Sequence, residues 1–233
     1  GIALPNVVQG RIRLRFAKGY FVGAAFILAT GIGSFFNFLY NAYLGRALSL
    51  SDFALISLIG GLYSFVSLVA GSFGTTVAFK SGFLIGKKNE QSAFNFWKKT
   101  RKKLLLISAF VGLVWIGLAP FLTSFFKEPN IYPFILFAPI LFVSLAYAVD
   151  RGFLSAKLSF GLLALLVILE PVLKFSASAL LVEFEYGSFA YVAIPLSVFS
   201  AFILASLFAR LGKRNPDQNA NKNDKKFPKR FLL

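Results

Sequence analysis

Six stretches of this chain are each long and apolar enough to cross a lipid bilayer, and that feature constrains the fold more than any other. A spanning helix needs about 20 mostly apolar residues, and such runs fall at 20–44, 53–79, 104–126, 131–149, 158–182 and 187–209. In hydrocarbon every backbone amide must be satisfied within the protein, which leaves α-helices or a closed barrel. A barrel of the outer-membrane type would read as many alternating segments of about ten residues, and the sequence has none. The expected fold is all-α, a polytopic membrane bundle of six transmembrane helices. With 57% hydrophobic residues and a mean hydropathy of +0.72, the 233 residues carry more apolar surface than a globule of that size can hide.

The net charge of +16 would point a soluble protein toward nucleic acid. Its placement argues otherwise. All but three of the 25 Lys and Arg fall in the N-terminal arm, in the loop spanning residues 80–103, at Arg151 and Lys157, or in the tail from Arg210 onward. The exceptions are Arg46, Lys127 and Lys174. Because positive loops stay on the cytoplasmic side, both termini and the even-numbered loops are expected to face the cytoplasm of a multi-pass protein in the inner (cytoplasmic) membrane. The charge then serves as a topology signal and attracts anionic membrane lipids; no nucleic-acid partner is expected. With no Cys and no His the chain has no disulfide framework, thiolate site or imidazole, and no metal or cofactor is expected.

Residues 1–19 read as a basic cytoplasmic or interfacial arm, 20–210 as the six-helix unit and 211–228 as a polar, basic linker. Residues 229–233, at the end of "FPKRFLL", look like the start of a seventh span. With no Met, even at the start, the chain is expected to be a processed, trimmed or partial product, and the first apolar run is too long for a signal peptide. The segment "KSGFLIGKKNEQSAFNFWKKTRKK", residues 80–103, reads as a basic interfacial helix with Phe94, Phe96 and Trp97 toward lipid.

Polar residues inside the spans are the candidates for function. Thr30, Ser34, Asn37 and Asn41 are spaced to share one face of the first helix, which must point to other helices or to a water-filled cavity. The second span carries Ser57, Gly60, Ser64, Ser67, Gly71 and Gly74 at alternating spacings of three and four, a pattern that lets helix backbones approach closely and reads as a packing seam. Prolines at 120, 133, 139, 171 and 195 are expected to kink their helices. The fifth span is the sharpest signal. Glu170 and Lys174 lie four residues apart with Ser178 one turn beyond, and one ionised group at mid-bilayer costs about 3 kcal/mol on insertion scales. Such residues must pair, face water, or both.

The run "GIGSFFNFLYNAYLGRALSLSDFALISLIGGLYSFVSLVAGSFGTTVAF", with Asn37 in the first span, Arg46 closing it and a short "LSLSDF" link, resembles the first two helices of bacterial oligosaccharide flippases. These form the polysaccharide-transporter branch of the MOP (MATE-like) exporter superfamily. "DRGFLSAKLSFGLLALLVILEPVLK" is similar to that family's fourth-to-fifth connection. The resemblance covers nearly the whole chain as an N-terminal half. It implies one six-helix lobe of a V-shaped, two-lobed transporter, whose C-terminal half would be its partner. It also implies a function: flipping a polyprenyl-diphosphate-linked oligosaccharide across the membrane by alternating access, for cell-surface polysaccharide synthesis. Within it, Arg46, Lys80 and Lys174 are candidates to attract the diphosphate, Asn37 and Asn41 to bond sugar hydroxyls, and Glu170 to hold Lys174 or to take part in ion coupling.

Two rivals remain open. A drug or organic-cation antiporter of the same superfamily would need acidic groups in its cavity, whereas the spans offer one Glu beside a Lys. A six-helix scaffold protein fits the short chain. An enzyme is not expected: a glycosyltransferase would need carboxylates on a sizeable outer loop, and Glu183 and Glu185 sit on a short turn.

Overall fold

The structure, a computed structural model, describes residues 6–211 and the side chains from residue 23 onward; the linker and the expected start of a seventh span lie outside the described residues. Six helices follow one another: α1 (Asn6–Ala47), α2 (Leu50–Gly86), α3 (Glu90–Phe126), α4 (Tyr132–Ala156), α5 (Phe160–Glu183) and α6 (Ala193–Leu211), the last entered through a 3-10 turn at Gly187–Val192. Each is long and apolar enough to span a membrane. The chain is an all-α, polytopic membrane protein.

Local chemistry sets the ends of these helices. The Ser49 hydroxyl accepts from the Asp52 amide at 3.1 Å, and the Asn89 side chain accepts from the Ser92 amide at 3.1 Å, each satisfying an otherwise orphaned donor. Helices α2 to α5 end in left-handed residues, Lys88, Lys127, Leu158 and Glu185. After α2 the Asn89 amide reaches back to the Leu84 carbonyl at 3.1 Å and Lys88 to Ile85 at 2.8 Å, closing the helix and reversing the chain within a few residues.

Burial separates a centre from a periphery. Half or more of the apolar windows of α4 and α6 is buried (56% and 50%), against 17–22% for the other four helices. The peripheral helices turn Ile27, Phe65, Leu68, Phe79 and Phe110 outward, as a lipid-facing surface requires. Helix α1 packs on α5, α2 and α3 pack on α4, and α6 bridges α4 and α5. Helices α1 and α2 scarcely touch although two residues join them. The bundle is therefore parted between an α1–α5 leaf and an α2–α3–α4 leaf.

Two close approaches hold the leaves. A Cβ on Gly74 would stand 2.8 Å from the Ala148 carbonyl oxygen, and one on Gly152 would collide with the Gly74 carbonyl, so α2 and α4 meet backbone to backbone. On the other leaf, a Cβ on Gly33 would stand 2.8 Å from the carbonyl of Val167, which Pro171 leaves without its helical donor.

Three expectations change. The segment 80–103 is not a separate interfacial helix: it is the end of α2, a tight turn and the start of α3. Trp97 is buried, stacks on Phe153 at 5.2 Å and donates its indole N–H to Asp150 at 2.9 Å, while Phe94 and Phe96 pack half-buried around it. An indole N–H seeks an acceptor, and α4 supplies one, so these rings face the protein rather than lipid. Of the five prolines, only Pro120, Pro139 and Pro171 are inside helices; Pro133 and Pro195 occupy first turns, where no helical donor is demanded of them. The small-residue stripe on α2 packs tightly only at Gly74, and Gly60 and Gly71 look onto open space.

Candidate functional site

The parting of the leaves leaves two cavities, called outer and inner after the orientation that the loop charges predict. Helix α1 contributes Asn37, Tyr40 and Asn41 to the outer one, α2 contributes Ser57 and Ser64, and α5 contributes Glu170 and Lys174; the volume is about 440 Å³. The inner one, about 390 Å³, runs along α2 and α4 toward their basic ends. Tyr63 lines both.

The periodicity that puts Glu170 and Lys174 on one face holds, but the two do not form an ion pair. Each is taken by another helix. The Tyr63 hydroxyl of α2 donates to Glu170 Oε1, and the Tyr147 hydroxyl of α4 points to Oε2 at 3.4 Å. Lys174 donates to Asn37 Oδ1, and its Nζ lies 4.5 Å from the centre of the Tyr40 ring, a cation–π contact. Asn37 thus orients the lysine from α1, while the Asn41 amide is turned back on the Asn37 carbonyl at 2.9 Å. Ser178 is buried one turn on, its hydroxyl directed at the Ala190 carbonyl at 3.5 Å, which secures α5 to the 3-10 turn.

Four of the six residues singled out in the sequence therefore meet in one cavity: Asn37, Asn41, Glu170 and Lys174. Arg46 and Lys80 line neither cavity. Arg46 is exposed at the end of α1, and Lys80 lies over the Phe96 ring at 4.6 Å. The stripe read as a seam, Ser57, Gly60, Ser64, Ser67 and Gly71, forms the α2 wall of the two cavities. Small residues serve an open space as well as a contact, and spacing alone does not distinguish these uses.

Sequence reading missed Tyr63 and Tyr147, which resemble ordinary aromatic residues of a span, and took Arg101 and Arg151 for loop charges. Arg101 Nε instead pairs with fully buried Asp150 at 3.0 and 3.1 Å, and its Nη2 donates to Ser206 at 2.7 Å. Together with Trp97 this ties α3, α4 and α6. The available signal was Asp150 itself, an acid next to Arg151 on a basic face. Among the described residues no group of three or more His, Cys, Asp or Glu is placed to hold a metal ion.

No known protein family, curated protein or solved structure matches the chain. Fold and site define the class directly: a polytopic helical membrane protein with a parted bundle and a divided polar interior.

Proposed function

We propose that the six helices form one lobe of a transporter that moves a polyprenyl-diphosphate-linked oligosaccharide across the cytoplasmic membrane by alternating access. One observation carries the reading. In the outer cavity the carboxylate is engaged by two phenol donors, whereas among the described residues the ammonium of Lys174 has a single hydrogen-bonded acceptor and no ion-pair partner. An ammonium offers three donors, so the group left to meet a ligand is the cation. In a site of low dielectric that cation attracts a diphosphate strongly. Asn37 and Asn41 offer amides to sugar hydroxyls, and the parting of α1 from α2 gives a large headgroup a way in. An organic-cation carrier would present a free carboxylate here instead.

A bacterial strain lacking its own flippase provides the test, with the full reading frame supplied in trans. Wild type is expected to restore surface polysaccharide. Removing one charged hydrogen-bond donor costs about 1.5–3 kcal/mol, so Lys174→Ala should lower the rate of rescue about tenfold or more at normal expression. Lys80→Ala, altered outside the cavities, should rescue fully. Full rescue by Lys174→Ala would overturn the assignment.

A further inference from the structure

The inner cavity holds a cation to which no role has been given. Arg151 lines it and is its only charged residue among the described ones, with Ser67, Thr75, Ser144 and Ser155 supplying hydroxyls around it. Its guanidinium lies over the Tyr147 ring at 5.5 Å, and among the described residues no carboxylate stands within ion-pairing distance of it. Arg101 is the contrast. Arg101 is matched to buried Asp150, and Asp150 is the residue immediately before Arg151. Adjacent residues on a helix point about 100° apart, so α4 turns its acid to the Arg101 side and its arginine into the cavity. At the next position Gly152 lets α4 meet the α2 backbone at Gly74, which fixes where the Arg151 side chain emerges.

A half-buried guanidinium without a carboxylate demands an anion, and its planar fork matches phosphate oxygens in pairs. We propose that Arg151 and the hydroxyls around it form a second anion site that takes the phosphate-ester headgroup of a lipid from the basic side of the membrane. Tyr63 lines both cavities, and it and Tyr147 of the inner one both hydrogen-bond Glu170, which lines the outer cavity with Lys174. An anion passing from one cavity to the other must therefore disturb these tyrosines, and the Glu170 bonds are what it exchanges against. The path rests on the transport reading above; the binding itself does not.

The test uses the full-length protein in nanodiscs of zwitterionic lipid. Phenylglyoxal modifies accessible arginines, and peptide mass spectrometry reads Arg151 and Arg46 separately. Inorganic pyrophosphate and a short-chain prenyl diphosphate are the probes. A bidentate phosphate contact should slow Arg151 modification about tenfold while Arg46 reacts at an unchanged rate. Protection by both probes assigns the site to the phosphate groups, and protection by the prenyl diphosphate alone assigns it to the intact lipid; either supports the proposal. Gly71→Leu, which fills cavity space where a Cβ meets nothing within 4 Å, should abolish protection and leave Arg151 reactive. Arg151 that is unreactive, or that reacts equally with and without both probes, overturns the proposal. Lys174→Ala separates the two readings: it should slow rescue yet keep protection at Arg151. Protection in a wild-type protein that fails to rescue would remove the transport reading and leave the site standing.

Discussion

Asp150 is fully buried at the basic end of α4, where it accepts from Trp97 and Arg101. A buried ion pair adds little over a well-packed apolar pair, but breaking one side leaves an uncompensated charge and costs about 3–5 kcal/mol. Asp150→Ala should therefore lower the unfolding midpoint of the purified protein sharply, read by tryptophan fluorescence in detergent. The double variant Arg101→Met with Asp150→Leu should recover most of the loss. If the single and double variants are equally destabilised, packing at that level matters more than charge. Little of this was legible in the sequence. A positively charged loop and a single acid are what the sequence displays, and only the apposition of α3 with α4 turns Trp97 and Arg101 onto that acid. Lys174 and Glu170 differ in this respect: their cost in a span made them visible, although their partners were not.

Helix α2 shows how one pattern serves two ends. Its small residues recur at helical spacing from Ser57 to Gly74, yet a methyl group is refused at Gly74 and accepted at Gly71. Gly74→Ala should destabilise the protein by about 1–3 kcal/mol through overpacking against α4. Gly71→Ala should be neutral or slightly stabilising, because alanine favours a helix by about 1 kcal/mol over glycine. Equal thermal shifts for the two would mean that the α2–α4 contact is not the rigid one. Helix existence and number were readable from hydropathy, whereas the ends of α2 and α3 were not. Charged residues at 80 and at 98–103 interrupt the apolar count but not the helices they lie in, since long Lys and Arg stems run outward from α2 and α3.

The whole molecule is a parted bundle with α4 and α6 at its centre, and its topology can be checked because the chain contains no Cys. In cells, Glu185→Cys should react with a membrane-impermeant thiol reagent added outside, and Lys88→Cys only after permeabilisation. Ser64→Cys, in the outer cavity, should react in open, hydrated protein, while Leu68→Cys, one turn away and 77% exposed toward lipid, should not. Reversed labelling of Glu185 and Lys88 would invert the orientation, and equal labelling of Ser64 and Leu68 would remove the hydrated cavity. The sequence by itself marked six helices long and apolar enough to cross a membrane among the described residues, because apolar length and backbone satisfaction in lipid favour spanning helices. It also singled out Glu170 and Lys174, through the cost of charge at that depth. What surrounds each polar group was decided only by the tertiary structure. Helical spacing says which side chains share a face, and only packing says whether that face meets a backbone, a tyrosine, an arginine or an open cavity.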